Sequence, residues 1–249
     1  MKMLDWIDRT ASAAVPILLV LVAVSLSTVS AFGKVAVVAF GLFGDQSVFE
    51  SEANGAARIL AARFGAEPVI VRANTKQGGD ATARTLKTVL RGVTSEIDRE
   101  NDVLFVILTS HGSPEGLAVK AGRRTEMLSP AALAEMLDDT GIRHRVVIVS
   151  ACYSGVFIPP LASPDTLVIT AADAEHPSFG CQDGARWTYF GDAFFNTALR
   201  HNPDLKQAFL MARQLVRNRE RRNGFAPSNP QIAGGENLQP LLAGNLATH

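Results

Sequence analysis

The sequence predicts an α/β protein with a mostly parallel β-sheet that is covered by helices on both faces. Short, strongly apolar segments alternate with longer segments of helical periodicity along most of the chain. The apolar segments have the continuous hydrophobic character of strands that are buried on both faces. This alternation is typical of parallel strands joined by helical crossovers. We expect one domain at residues 34–249, preceded by a separate segment at residues 1–33.

The first half of the domain contains three predicted strands and two predicted helices. The strands are "KVAVVAF" (34–40), "EPVIVRA" (67–73) and "DVLFVILT" (102–109). The first helix lies within residues 51–65, with Ser51 as a candidate N-cap and Gly65 as a stop. The second helix lies within residues 80–98 and has an apolar face formed by Leu86, Val89, Leu90 and Val93.

The second half adds three helices and two strands. Ser129 is the predicted N-cap of a helix that has Pro130 at its first position and stops at Gly141. The strands are "RVVIVSA" (145–151) and "DTLVITAA" (165–172), and the closing helices are "YFGDAFFNTALRHN" (189–202) and "LKQAFLMARQLVRNRERR" (205–222). Residues from 223 onward are rich in Pro, Gly and Asn and are predicted to form loops.

The N-terminal segment is strongly apolar. The 24 residues between Arg9 and Lys34 carry no charge, and about 20 apolar helical residues suffice to cross a bilayer. The run ends in "VSA", which is typical of a signal-peptidase site. Residues 1–33 are therefore predicted to be either a cleaved signal peptide or a retained anchor, with membrane attachment through residues 11–32. Both alternatives place the domain outside the cytoplasm. The domain would be periplasmic, secreted, or held at a membrane by its anchor.

Composition excludes several classes of function. The 24 basic residues balance the 24 acidic ones, so a nucleic-acid partner is not expected. Only two cysteines occur, which is too few for a disulfide scaffold. The five histidines show no paired ligand spacing, so neither a metal nor another cofactor is predicted.

A histidine and a cysteine follow two of the predicted strands. His111 comes after the third strand, and Cys152 comes after the fourth. Ligands collect at the carboxyl ends of parallel strands, so neighbouring strands would bring both side chains to one edge. One predicted helix lies between them, as a parallel crossover requires.

A cysteine beside an imidazole is a nucleophile with its base. The thiolate attacks a carbonyl, and the histidine protonates the leaving amine. The developing oxyanion needs fixed donors, for which the amides of Gly112 and Cys152 are suitable. Gly112 has no side chain to obstruct the approach of a substrate.

Four segments of the sequence carry a resemblance to a known family. They are "LTSHGSPEGLAV", "VVIVSACYSG", "VITAADAEHPSFGCQDG" and "TYFGDAFFNTAL". In order and spacing they resemble the legumain family of cysteine peptidases, also called the C13 or hemoglobinase family, which shares a clan with caspases and gingipains. The resemblance covers about residues 34–199 and implies a three-layer, caspase-like fold. It also implies catalytic roles for His111, Cys152 and Gly112, pocket roles for Ser178 and Asp192, and a structural role for Cys181.

The sequence also departs from the family pattern. Legumains that cut after asparagine carry Asn-Tyr-Arg-His after the first strand, where residues 48–51 align best here. No assisting asparagine stands there, so a Cys–His dyad is expected. In this alignment Glu50 replaces the arginine of the family's pocket, although a glutamate here would also fit a solvated helix start. Ser150 replaces the acidic residue that precedes Ala-Cys in the family. The candidate substrate-binding residues are Glu50, Ser150, Ser178 and Asp192, and a pocket that has lost its cation is expected to favour basic or neutral amide side chains.

Three functions fit these residues. The first is a cysteine endopeptidase that acts on peptides or proteins through a thioester acyl-enzyme. The second is a transpeptidase or transamidase in which an amine intercepts the same intermediate. The third is a caspase-like binding module without turnover, against which the presence of both His111 and Cys152 argues. A serine hydrolase is excluded because "ACYSG" lacks the first glycine of the nucleophile motif.

Overall fold

The computed structural model describes residues 33–202 and 204–246. The predicted signal peptide or anchor, including the attachment segment at residues 11–32, lies outside this range apart from Gly33, and it remains a prediction. Within the described residues, no helix has both the length and the apolar character needed to cross a membrane.

A seven-stranded sheet forms the centre of the domain, and a three-stranded antiparallel sheet lies at its edge. The strands are β1 (Val35–Gly41), β2 (Val69–Thr75), β3 (Gly78–Gly79), β4 (Val103–Thr109), β5 (Gly112–Ser113), β6 (Gly116–Ala121), β7 (Arg124–Leu128), β8 (His144–Ser150), β9 (Thr166–Thr170) and β10 (Gln231–Ala233). In the large sheet the order is β10-β9-β8-β4-β1-β2-β3, and the five inner strands are parallel. Strands β5, β6 and β7 form the small sheet.

Helices cover both faces of the large sheet. They are α1 (Ser47–Phe64), α2 (Ala83–Val93), α3 (Pro130–Asp138), α4 (Ile158–Leu161), α5 (Tyr189–Gly191), α6 (Leu199–His201), α7 (Leu205–Arg222) and α8 (Gln239–Leu246), with a 3₁₀ turn at Ser154–Phe157 and a π-helical segment at Asp192–Ala198. One core contains α1, the π-helical segment and α7. The other contains α2, α3 and α4. This three-layer arrangement confirms the predicted α/β fold.

Strand β1 shows why the sheet needs two covering layers. Val35, Val37 and Ala39 pack into the first core, and the alternate residues Ala36, Val38 and Phe40 pack into the second. Successive side chains of a strand point to opposite faces, so a strand that is apolar throughout must be buried on both.

Helix boundaries follow local signals at most ends. Ser129 caps α3 by accepting a hydrogen bond from the amide of Ala132, as predicted. Gly65 ends α1 in the left-handed conformation, with φ of 60°. The prediction that α1 starts after Ser51 is wrong, because the helix already begins at Ser47, where Val48 and Phe49 are buried.

Several elements were not predicted. The small sheet, the antiparallel edge strand β10 and helix α8 all lie in segments without a clear hydrophobic period. Strand β10 pairs with β9 through Ile232 opposite Ile169, so a segment rich in loop-forming residues is ordered by the sheet edge that it completes.

Candidate active site

The register of two neighbouring strands sets the position of His111 and Cys152. Strands β4 and β8 are parallel and paired along their whole length, ending with Thr109 opposite Ser150. His111 and Cys152 each follow two residues later, so both leave the large sheet at the same level and at the same edge. The amide of Ser110 donates to the carbonyl of Ser150 at 3.2 Å and continues this pairing toward the site.

Gly112 allows the two strand ends to approach each other closely. A Cβ atom at this position would overlap the carbonyl oxygen of Cys152 and would press on the side chain of Ala151. Any other residue would therefore push the His111 turn away from the Cys152 turn. The glycine is required here by backbone contact, in addition to the room that it leaves for a substrate.

The imidazole of His111 is half-buried between two aromatic rings. The ring centroids of Phe43 and Phe49 lie 4.7 Å and 5.0 Å away, both edge-to-face. Nε2 lies 3.1 Å from Oε1 of Gln46. Burial lowers the pKa of His111 below its ordinary value of 6.5, so the ring is mainly neutral at pH 7. With Nε2 protonated toward the Gln46 oxygen, Nδ1 is the nitrogen that can accept a proton.

The sulfur of Cys152 is held by the segment that contains Ser178. The amide of Ser178 donates to Sγ at 3.2 Å, the carbonyl oxygen of Ser178 lies 3.4 Å from Sγ, and its hydroxyl lies 3.8 Å away. A backbone N–H aimed at sulfur stabilises negative charge when a thiolate forms. Tyr153, which follows directly, adopts the left-handed conformation with φ of 55°.

The thiol and the imidazole share an edge of the sheet, and their hydrogen bonds in the described structure go to other residues. Among the described residues, Cys152 Sγ and His111 form no hydrogen bond with each other, because Sγ contacts Ser178 and Nε2 contacts Gln46. Catalytic hydrogen bonds are often long without substrate and shorten in the reacting complex. The arrangement leaves a thiol and a neutral imidazole at the same edge of the sheet.

Comparison with known proteins shows the family and supports the fold. The model of the Peptidase C13 family matches residues 47–238. The chain belongs to the Peptidase C13 family. Among solved structures, caspase-1 from Spodoptera frugiperda is similar with a TM-score of 0.55 at 16% identity, over 81% of this chain and 86% of that chain, which supports the caspase-like fold alone. No curated protein matches the chain.

The second cysteine of this C13 chain is not paired with the first. Cys152 and Cys181 are both free thiols. Burial, followed by the proximity of Cys152 and Glu52, raises the pKa of Cys181 to about 12. Cys181 is therefore a poor nucleophile at neutral pH, and its structural role stays a prediction.

The four predicted substrate-binding residues occupy different environments. Ser178 contacts the sulfur, as described. Ser150 is buried, and its hydroxyl lies 3.2 Å from that of Thr188, so in this structure it lies behind the site. Glu50 lies in the first turn of α1, next to Phe49, and its carboxylate forms no ion pair with any residue that the structure describes. Substrate contacts by these residues remain predictions.

Asp192 is paired with a cation that the sequence analysis did not find. Its Oδ2 lies 3.1 Å from Nη1 of Arg219 on α7, and its Oδ1 accepts a hydrogen bond from Asn196 at 2.9 Å. The Arg219 guanidinium also stacks 3.8 Å above the ring of Tyr189. An arginine from a helix late in the chain therefore stands beside Asp192, and the expectation that the substrate pocket has lost its cation stays a prediction.

A buried carboxyl group lies beneath the two strand ends. Glu52 is fully buried; its Oε1 accepts a hydrogen bond from the Thr109 hydroxyl at 3.0 Å, and its Oε2 accepts one from the Thr188 amide at 2.8 Å. The Ser150 hydroxyl also interacts with it. A Cβ atom on Gly191 would overlap the carboxyl group. Glu52 thus connects α1 to the ends of β4 and β8 and to the segment before Asp192.

Burial gives Glu52 a testable effect on stability. Desolvation raises the pKa of Glu52 above its ordinary value of 4.5, and hydrogen bonds from Ser150, Thr188 and Thr109 oppose that rise only in part. The folded protein therefore retains this proton at pH values where the unfolded chain has lost it. The contribution of Glu52 to stability is complete below the unfolded pKa and is lost as pH rises through the folded pKa.

Comparison of Glu52→Gln with the wild type should show this pH dependence. The glutamine has the same size and cannot titrate, and the Thr109 hydroxyl can reverse to accept a hydrogen bond from its amide. The difference in unfolding free energy, wild type minus variant, should fall above pH 5 by at most about 1.4 kcal/mol per pH unit. Urea denaturation at pH 5, 6, 7 and 8 measures this difference, and a difference that does not change with pH contradicts the prediction.

Glu52→Ala should lower the free energy of unfolding by about 2–5 kcal/mol, because it leaves the amide of Thr188 without a partner.

Sequence reasoning missed three residues of this site. They are Gln46, Glu52 and Arg219, all polar residues in or beside helices. For Glu52 and Arg219, nothing in the local pattern distinguishes them from solvated positions. The available signal for Gln46 was its place after the first strand, at the edge where parallel strands present their ligands. Within the described residues, no group of three or more His, Cys, Asp or Glu side chains is arranged to hold a metal ion.

Proposed function

We propose that this chain is a cysteine peptidase that hydrolyses peptide bonds, with Cys152 as nucleophile and His111 as base. The observation that carries the proposal is the register of β4 and β8, which brings these two residues of a C13 chain to one edge of the sheet. The caspase-like fold supports it further. The substrate is a peptide or a protein segment.

The first half-reaction forms a thioester. The neutral imidazole of His111 takes the thiol proton as Sγ attacks the carbonyl carbon of the substrate. The amides of Gly112 and Cys152 donate hydrogen bonds to the oxyanion. The C–N bond then breaks, and the imidazolium passes its proton to the leaving amine. Gln46 holds the ring through Nε2, so the proposed site is a dyad whose base is oriented by an amide side chain.

The second half-reaction decides between hydrolysis and transfer. Water attacks the thioester, His111 removes its proton, and the thiol is restored as the new carboxylate leaves. An amine in place of water would form a new peptide bond, which makes the chain a transpeptidase. Hydrolysis is the proposal, and transfer is the second candidate that the experiment below separates from it.

A peptide library digested in H₂¹⁸O tests the proposed function. We expect new C-termini that each carry one ¹⁸O atom, and we expect cleavage to stop after alkylation of the protein with iodoacetamide. Ligated peptides without ¹⁸O, formed when an amine-bearing peptide is added, would identify a transpeptidase instead. If no peptide of the library is cleaved or ligated, the binding module without turnover is the one remaining candidate.

The library also reports the residue before the cut. Arg219 balances Asp192, and Glu50 is without an ion pair among the described residues, so we expect neutral or basic side chains there and few acidic ones. A strong preference for Asp or Glu before the cut would contradict this assignment of the pocket.

We further propose, from the apolar segment at residues 11–32, that the domain acts outside the cytoplasm.

A further inference from the structure

A cavity on the outer side of α1 is lined by four arginines. Its volume is about 590 Å³, and neither His111 nor Cys152 contributes to it. Helix α1 forms one wall, and the other is formed by the chain from the loop before α5 to α6. The polar and aromatic side chains at its surface are Arg58, Arg63, Arg186, Trp187, Asn196 and Arg200.

The charges of this arginine cavity are not balanced. No acidic residue lines it. Among the residues that the structure describes, none of its four guanidinium groups is paired with a carboxylate, although the chain elsewhere pairs Arg72, Arg145 and Arg219 in this way. The Nε atom of Arg63 is buried and has no hydrogen-bond partner there. A buried donor without a partner is costly, so an anion that reached this atom would be favoured.

The wall that carries Arg186 is held by packing and is not a loose surface segment. A side chain on Gly55 would overlap the ring of Trp187, so this glycine lets the indole lie directly against α1. The indole also packs on Phe195, with ring centroids 6.2 Å apart. Asn196 is fixed through its hydrogen bond to Asp192. The cavity is therefore preformed by the fold.

We propose that the arginine cavity binds a soluble small molecule that bears several phosphate groups. Guanidinium groups form paired hydrogen bonds with phosphate oxygens, and four of them around one cavity match a compact ligand of high negative charge. The volume lies within the range of small-molecule sites. An acidic peptide spreads its charges along an extended backbone and fits such a compact cluster less well. This proposal goes beyond the peptidase function and does not rest on it.

Titration with inorganic tripolyphosphate tests the proposal in the full chain. The sequence has two tryptophans, Trp6 and Trp187, so a Trp6→Phe background leaves the cavity residue as the only indole. We expect saturable binding by calorimetry, a change in Trp187 fluorescence, and weaker binding at higher salt. In the double variant Arg186→Gln/Arg200→Gln the affinity should fall about tenfold or more, since charge-assisted hydrogen bonds are lost. Both arginines are exposed, so the fold should persist, as circular dichroism will verify.

A matched control separates this site from general attraction to positive charge. Arg222→Gln removes an exposed arginine of α7 that does not line the cavity, and it should leave the affinity unchanged. Equal losses in Arg222→Gln and in the double variant would overturn the proposal, as would no binding at millimolar tripolyphosphate. A polyglutamate peptide that binds as tightly, with the same loss in the double variant, would identify an acidic-peptide site instead.

Discussion

Replacing Cys152 with alanine is expected to reduce peptide cleavage by about 10³-fold or more. The sulfur is the atom that forms the thioester in the proposed reaction. The nearby Ser178 hydroxyl, 3.8 Å from Sγ, should not replace it, because among the described residues it has no hydrogen bond to an imidazole or a carboxylate. Steady-state cleavage of a peptide from the library measures the loss. Labelling by an acylating probe at this position should disappear in parallel.

Cys181→Ala is the matched control for that experiment. Burial raises the pKa of Cys181 to about 12, so it should remain an unlabelled thiol at pH 7. We expect intact-mass spectrometry to show one probe per chain in the wild type and in Cys181→Ala, and none in Cys152→Ala. Full cleavage by Cys152→Ala would end the assignment of the nucleophile, and a probe on Cys181 would show that the two thiols had been assigned the wrong way round.

Replacing His111 with alanine is expected to lower kcat/KM by about 10²–10⁴-fold, the range that a positioned general base contributes. The imidazole packs on Phe43 and Phe49 at the surface of the core, so its removal should leave the fold intact. His201→Ala, at an exposed histidine of α6, should keep full activity. Equal activity in the two variants would remove His111 from the mechanism.

The pH profile provides an independent check on the same residue. A base must be unprotonated to act, so activity falls as pH drops through the pKa of His111. Because burial lowers that pKa, the acidic limb of kcat/KM should lie below pH 6.5. Phe43→Ser would admit water to the ring and should move this limb toward 6.5. A limb above 6.5 in the wild type would contradict a buried neutral base.

The location of the site was predictable because it depends on local patterns. The apolar strands β4 and β8 are recognisable from composition alone, and parallel strands present their carboxyl ends at one edge. His111 and Cys152 could therefore be placed together before their surroundings were known. The Cys–His dyad stays a prediction. It was argued from residues 48–51, whereas the polar side chain that contacts the imidazole is that of Gln46, just before α1.

The electrostatics of the site depend on residues that are distant in sequence. The Glu52 carboxyl group accepts from the amide of Thr188, 136 positions away, and Asp192 pairs with Arg219 across 27 positions. Such pairs form only where crossovers bring separate segments together, and hydrophobic periodicity contains no information about which polar residues will meet. The arginine cavity has the same origin, because its cations come from both α1 and the chain that ends in α6.

By itself, the sequence determined the parallel sheet, its covering helices and the two strand ends that carry sulfur and imidazole, since strand burial and helix capping are local properties of the chain. Only the tertiary structure decided which side chains hold those two groups, which charges are balanced and where a cavity is left with unpaired cations. The physical reason is that desolvation and pairing depend on every group within a few ångströms, and most of those groups are contributed by distant parts of the chain.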